Sequence, residues 1–202
     1  MRFSIVAFFF IHLAIPLFSL NPEAKTGFVL KKGDVVAFVG GTDMVRMQKE
    51  GRVEAALTHR YKKARPRFRD LSWEGDTVYL QTTVSERWRR KAFGDLNGQL
   101  NKVGATVVIA QFGKIESLDG PGRLADFTKV YDKLIDQLSN DDRRVALLAP
   151  PSFEWEQANG DFLKAYSNAV EELAAKQKIP FIRDLMGQTE PPAQLVEAVR
   201  EK

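Results

Sequence analysis

The stretch "AFVGGTDMV", Ala37–Val45, decides the fold. It overlaps "DVVAFVG" (Asp34–Gly40), an unbroken apolar run closed by glycine, the pattern of a short strand buried on both faces. After the glycines, Thr42 and Asp43 lead into a helical stretch expected from about Asp43 to Tyr61. A buried strand passing straight into a helix is the first half of a β-α-β unit.

The alternation continues along the chain. "RFRDLSW" (Arg67–Trp73) reads as a second strand ending in the turn-rich "EGDT". Ser85–Val103 carries Trp88, Ala92, Leu96 and Leu100 at helical spacing. "TVVIAQF" (Thr106–Phe112) is a third strand, and its β-branched run indicates burial on both faces. "RLADFTKVYDKLIDQL" repeats Leu124, Phe127, Tyr131, Leu134, Ile135 and Leu138 at a helix period. "RVALLAP" is the fourth strand, "DFLKAYSNAVEELAAKQK" an amphipathic helix and "IPFIRDL" the fifth strand. "PPAQLVEAVREK" reads as a closing helix with proline at its start. This order predicts an α/β domain with a five-stranded parallel sheet between two helical layers.

At 202 residues, 44% hydrophobic and 28% charged, the chain suits one globular domain. It has no cysteine, which excludes disulfides, thiolate metal sites and a cysteine nucleophile. "MRFSIVAFFFIHLAIPLFSL" pairs a basic start at Arg2 with an apolar run that His12 and Pro16 interrupt. It reads as a secretory signal, residues 1–24, ahead of a domain at 25–202, with an uncleaved membrane anchor as the alternative. The expected location is secreted, periplasmic or at the cell envelope. The net charge of +4 and pI near 9.3 are mild; removing Arg2 leaves +3.

In a parallel sheet, ligands sit beyond the carboxyl ends of the strands. The loops there read "VGGTDMV", "LSWEGDTV" and "QFGKIESLDG". Together they resemble the blocks of the SGNH (GDSL-like) hydrolase superfamily, bacterial secreted branch, over essentially the whole mature chain. The resemblance implies a flavodoxin-like three-layer fold and kinship with ester hydrolases. Gly40, Gly41 and Thr42 stand at the nucleophile block, with threonine at the serine position. "DLSWEGDT" keeps Trp73, Gly75, Asp76 and Thr77, and Gly75 matches the glycine whose N–H helps form the oxyanion hole. "GKIE" keeps Gly113 and Glu116 but has Ile115 where the family's asparagine donates. The Asp-x-x-His block is absent, since nothing after "IPFIRDL" is histidine.

These matches make Thr42, Gly75 and Glu116 the candidate catalytic positions, with Gly41, Gly113, Ile115 and Glu154 around them. The sole mature-chain histidine, His59, lies about 16 residues along the expected helix from Asp43. At about 1.5 Å per residue that is roughly 24 Å, against the ~3 Å a general base requires. Losing one oxyanion donor alone can cost roughly 10²–10³ in rate.

The expectation is an impaired hydrolase acting as a binding or assembly module for an ester or carbohydrate ligand. A hydrolase of altered mechanism, with Thr42 as nucleophile, is the alternative. Asp43, Glu74, Glu116 or Glu154 would then replace imidazole, although an ordinary carboxylate is a weak base unless burial raises its pKa. No cofactor is called for, and no spacing supports a metal site. Structural readings also exist: a tight turn at Gly40–Gly41, Thr42 as an N-cap, Trp73 as a packing residue.

A third reading uses Arg60, Lys62, Lys63, Arg65, Arg67 and Arg69, with Arg87, Arg89, Arg90 and Lys91 around Trp88, as a binder of an anionic polymer. Export argues against nucleic acid, and a charge run usually marks a solvated surface.

Overall fold

The computed structural model describes residues 28–82, 92–153 and 160–183. Five strands form one sheet: β1 (Val35–Gly40), β2 (Arg67–Asp70), β3 (Val107–Gln111), β4 (Arg144–Leu148) and β5 (Phe181–Ile182). Their order is β2-β1-β3-β4-β5 and every pairing is parallel. This is the flavodoxin-like order, with the reversal of direction between β1 and β3. The helices are α1 (Thr42–Glu50), α2 (Arg52–Arg60), α3 (Val78–Thr82), α4 (Leu96–Val103), α5 (Leu124–Leu138) and α6 (Gly160–Gln177).

Burial on both faces explains the apolar runs. On one face, Val36 and Phe38 of β1 and Val107 and Ile109 of β3 pack with Met44, Val53 and Leu57 of α1 and α2. On the other, Ala37, Val39, Val108 and Ala110 meet α4, α5 and α6 through Leu100, Tyr131, Leu134 and Val170. Alternate residues of the same strand therefore enter different cores, and Gln111, at the end of β3, is the one polar side chain on these two strands.

Several expectations need correction in detail. The helix expected from Asp43 to Tyr61 is two helices, because Gly51 adopts φ 65° and ends α1 in a left-handed cap. The second strand stops at Asp70 and the fifth has two residues. α3 has no counterpart in the sequence reading. Of the helix expected over Ser85–Val103, α4 accounts for the end, with the Asp95 side chain capping it through Gly98 N–H at 2.7 Å. The signal segment, Trp88 with its basic neighbours, Glu154 and the closing helix lie outside the described residues. Among those described, no helix is long and apolar enough to cross a membrane.

At the reversal point, β1 and β3 close to an unusual degree. A Cβ on Gly40 would lie 2.7 Å from the Gln111 carbonyl oxygen and 3.0 Å from Met44 Cβ. The backbone of β3 cannot yield cheaply, so Gly40→Ala is expected to cost about 1–3 kcal/mol. Urea unfolding measures it, and an unchanged midpoint would show that the strand ends splay freely.

Candidate functional site

The end of β1 and the start of α1 form the first wall. Gly41 is the N-cap, with φ −88° and ψ −154°, and Thr42 is the first helical residue. Thr42 is thus not the N-cap that a structural reading allows. Its hydroxyl instead accepts a hydrogen bond from Gly75 N–H at 3.0 Å. A Cβ on Gly41 would meet the Asp76 carbonyl oxygen at 2.7 Å. The first two glycines of the motif therefore serve close backbone approach rather than a left-handed turn.

The loop after β2 forms the second wall. Leu71 N–H and Trp73 N–H donate to the carbonyls of Phe38 and Gly40, each at 2.9 Å, so the loop runs beside β1. It then turns, with Asp76 N–H donating to Trp73 O at 3.0 Å and Gly75 at φ 71°. Only glycine takes that third turn position without strain. Glu74 is ion-paired with Lys49 of α1 at 2.8 Å, and the hydrogen bond from Lys49 holds its carboxyl below the ordinary value. That makes Glu74 a poor replacement base. Trp73 is 37% exposed and its ring centroid lies 6.1 Å from that of Phe93, so it is not a core residue.

The third wall follows β3. Glu116 is 3% exposed, and both carboxylate oxygens are engaged: Gly113 N–H donates at 2.8 Å and Val78 N–H at 2.9 Å. The carboxylate joins this loop to the start of α3. Burial pushes its pKa above 4.5, the two N–H donors pull the other way, and the Asp76 charge adds to the rise. Asp76 is itself buried, accepting from Thr77 N–H at 3.1 Å and from the Gln81 amide. Ile115 leaves an apolar side chain, 36% exposed, at the position where the resemblance calls for a donor.

Gly41, Thr42, Asp43, Asp76, Gly113, Ile115 and Glu116 line one cleft. Gly75 joins them through Thr42. The cleft measures about 20 Å³, enough for about one water molecule. Lys114 and Asp43 also line it and form an ion pair at 2.9 Å, with side chains 17% and 27% exposed. The Lys114 ammonium stands 5.3 Å from the Phe153 ring centroid. His59 is exposed in the last turn of α2 and is not part of the cleft. The break at Gly51 removes the straight-helix distance used to exclude it, yet no hydrogen bond joins it to Thr42.

Sequence reasoning missed Gln111. It is 7% exposed at the end of β3 and lines the cleft. Its Nε2 donates to Ala149 O at 2.9 Å, while Oε1 has no hydrogen-bond partner among the described residues. The one signal was a polar residue ending an apolar run. Among the described residues no group of three or more His, Cys, Asp or Glu could hold a metal.

Neither a family model nor a curated protein sequence matches the chain. Solved structures do. An acetylxylan esterase from Geobacillus stearothermophilus aligns with TM-score 0.58 and 16% identity over 76% of this chain and 77% of its own. An alpha/beta hydrolase from the metagenome of Lake Arreo, Spain, gives 0.56 and 18% over 82% and 85%. A candidate GDSL-like lipase from Parabacteroides merdae gives 0.57 and 12% over 77% and 79%. The chain therefore shares the α/β fold of these solved structures, the fold its blocks suggested; fold similarity by itself assigns no reaction.

Glu116→Gln would turn an amide N–H₂ toward one of two buried N–H donors, at an expected cost of about 1–3 kcal/mol. A carboxyl with a raised folded pKa contributes most below its unfolded value and loses that contribution as pH rises through the folded value. The stability gap between the two proteins should thus be widest below pH 4.5 and narrow above it, as pH-dependent urea unfolding will show. A gap that widens with pH would contradict this.

Proposed function

We propose that this is an exported SGNH-type domain that binds a small hydroxyl-bearing ligand, of the acylated-carbohydrate class, without efficient hydrolysis. The observation that carries it is the state of the Thr42 hydroxyl. Ester hydrolysis needs a base to remove the nucleophile's proton and free donors for the oxyanion. Among the described residues, the only hydrogen bond to the Thr42 oxygen comes from Gly75 N–H. That bond also engages the donor that the resemblance assigns to the oxyanion. The methyl group further restricts rotation about χ1.

Binding is supported by what the cleft leaves unsatisfied. Gln111 Oε1 is a buried acceptor without a donor, and such groups are costly unless something fills them. The N–H groups of the first turn of α1 have no acceptor within the helix. One hydroxyl serves both needs, donating to Gln111 and accepting from the helix start. The volume suits a group of that size and not a long acyl chain. The acetylxylan esterases among its structural neighbours support carbohydrate as the ligand class.

The cleft is lined in part by the Lys114–Asp43 pair. Lys114→Ala is expected to widen it and tighten binding of acetylated xylo-oligosaccharide at least several-fold by calorimetry, whereas Gln111→Leu should abolish that binding. Binding untouched by Gln111→Leu would refute this placement. p-Nitrophenyl acetate should show no turnover that depends on Thr42, tested with Thr42→Ala; turnover lost in that variant would establish the altered-mechanism hydrolase instead.

A further inference from the structure

The opposite end of the sheet, where strands begin, carries a second surface that the cleft does not use. Lys31 and Lys32 occupy the turn before β1, and Lys62, Lys63 and Arg65 the turn between α2 and β2. Arg67 opens β2, its N–H donating to Asp34 O at 2.9 Å, which brings the two turns side by side. All six cations are exposed. Among the described residues none of them forms an ion pair. The carboxylate between them, Asp34, is 6% exposed and spent on Arg144 at 2.5 Å, Thr106 at 3.0 Å and Lys31 N–H at 2.5 Å.

Protection of a sheet edge accounts for only part of this. β2 is an edge strand, and charged residues on it discourage pairing with other chains. That reason covers Arg67 and Arg69. It does not cover the five cations in the turns. Arg65, in the turn between α2 and β2, takes φ 51°, a left-handed position that glycine or asparagine occupies at less cost. Six uncompensated like charges repel one another, and a bound anionic surface relieves that repulsion.

The chain also enters the domain here. Tyr61 OH donates to Phe28 O at 2.7 Å, fixing the entry point beside Lys62, and Val29 is 55% exposed next to it. Upstream, Phe3 to Leu20 contains no Asp, Glu, Lys or Arg, and only "NPEAKTG" separates it from Phe28. Seven extended residues span at most about 25 Å.

We infer that this cationic end docks on a membrane surface rich in anionic lipid headgroups, holding the cleft on the side away from the bilayer. Basic residues near an anionic leaflet contribute about 1 kcal/mol each, and the attraction decays within a Debye length of about 10 Å. The exposed Val29 adds an apolar contact at the headgroup boundary. The inference is independent of what the cleft binds.

Vesicle flotation of the full chain tests it, comparing phosphatidylcholine vesicles with vesicles that are one part phosphatidylglycerol to two parts phosphatidylcholine. The apolar N-terminal segment acts on both, so their ratio isolates the electrostatic contribution. The wild type should favour anionic vesicles at least tenfold at low salt and lose that preference at high salt. Lys62→Gln/Lys63→Gln/Arg67→Gln, which removes half of the six cations, should reduce the preference at least tenfold with unchanged thermal unfolding. Lys129→Gln/Lys133→Gln/Lys164→Gln, which removes equal charge from α5 and α6, should keep it. Equal binding to both vesicle types, equal loss in both triple variants, or a preference for a soluble anionic polysaccharide over anionic vesicles would overturn the inference.

Discussion

Close backbone approach at the point where the strand order reverses is the constraint on which the site depends. Without a Cβ at Gly40 and Gly41, the carbonyls of Gln111 and Asp76 come as near as 2.7 Å to where one would lie. That approach draws the loops after β1, β2 and β3 into one cleft. It sets Gly75 N–H against the Thr42 hydroxyl and Glu116 beneath both loops. A fold of this topology offers a ligand site here in any case; the glycines determine how tightly its walls meet.

Tight walls bring a chemical consequence. The groups that an ester hydrolase would aim at a substrate are here turned on one another. Gly75 N–H serves Thr42, Gly113 and Val78 N–H serve Glu116, and Lys114 serves Asp43. Glu116, a cleft carboxylate whose pKa burial raises, has both oxygens engaged by backbone N–H groups. A shifted pKa in a cleft often marks a catalytic acid or base. Here the same carboxylate also braces two loops, because each of its oxygens accepts a backbone N–H. Among the described residues, Gln111 Oε1 accepts no hydrogen bond and Gly41 caps the start of α1 with no side-chain bond.

Much of the fold was legible in the sequence because burial on two faces writes itself as an unbroken apolar run. "TVVIAQF" and the Leu124–Leu138 helix were read almost to the residue for that reason. Gly51 was not, since a lone glycine is tolerated within a helix and only tertiary packing makes it a left-handed cap. α3 escaped because five residues, "VYLQT", are too few to show a period. Residues of the three blocks lie together around one cleft. The partner of each polar atom depended on distances across the fold, so the Thr42–Gly75 bond, the Glu116 brace and the role of Gln111 could not be read from spacing.

The central claim is that no group in this cleft activates the Thr42 hydroxyl. Reaction with a fluorophosphonate, followed by intact-protein mass spectrometry, addresses it directly, because the adduct accumulates even when turnover is slow. The account predicts an unmodified chain after prolonged exposure. A stoichiometric phosphonyl adduct at Thr42, lost in Thr42→Ala, would contradict it.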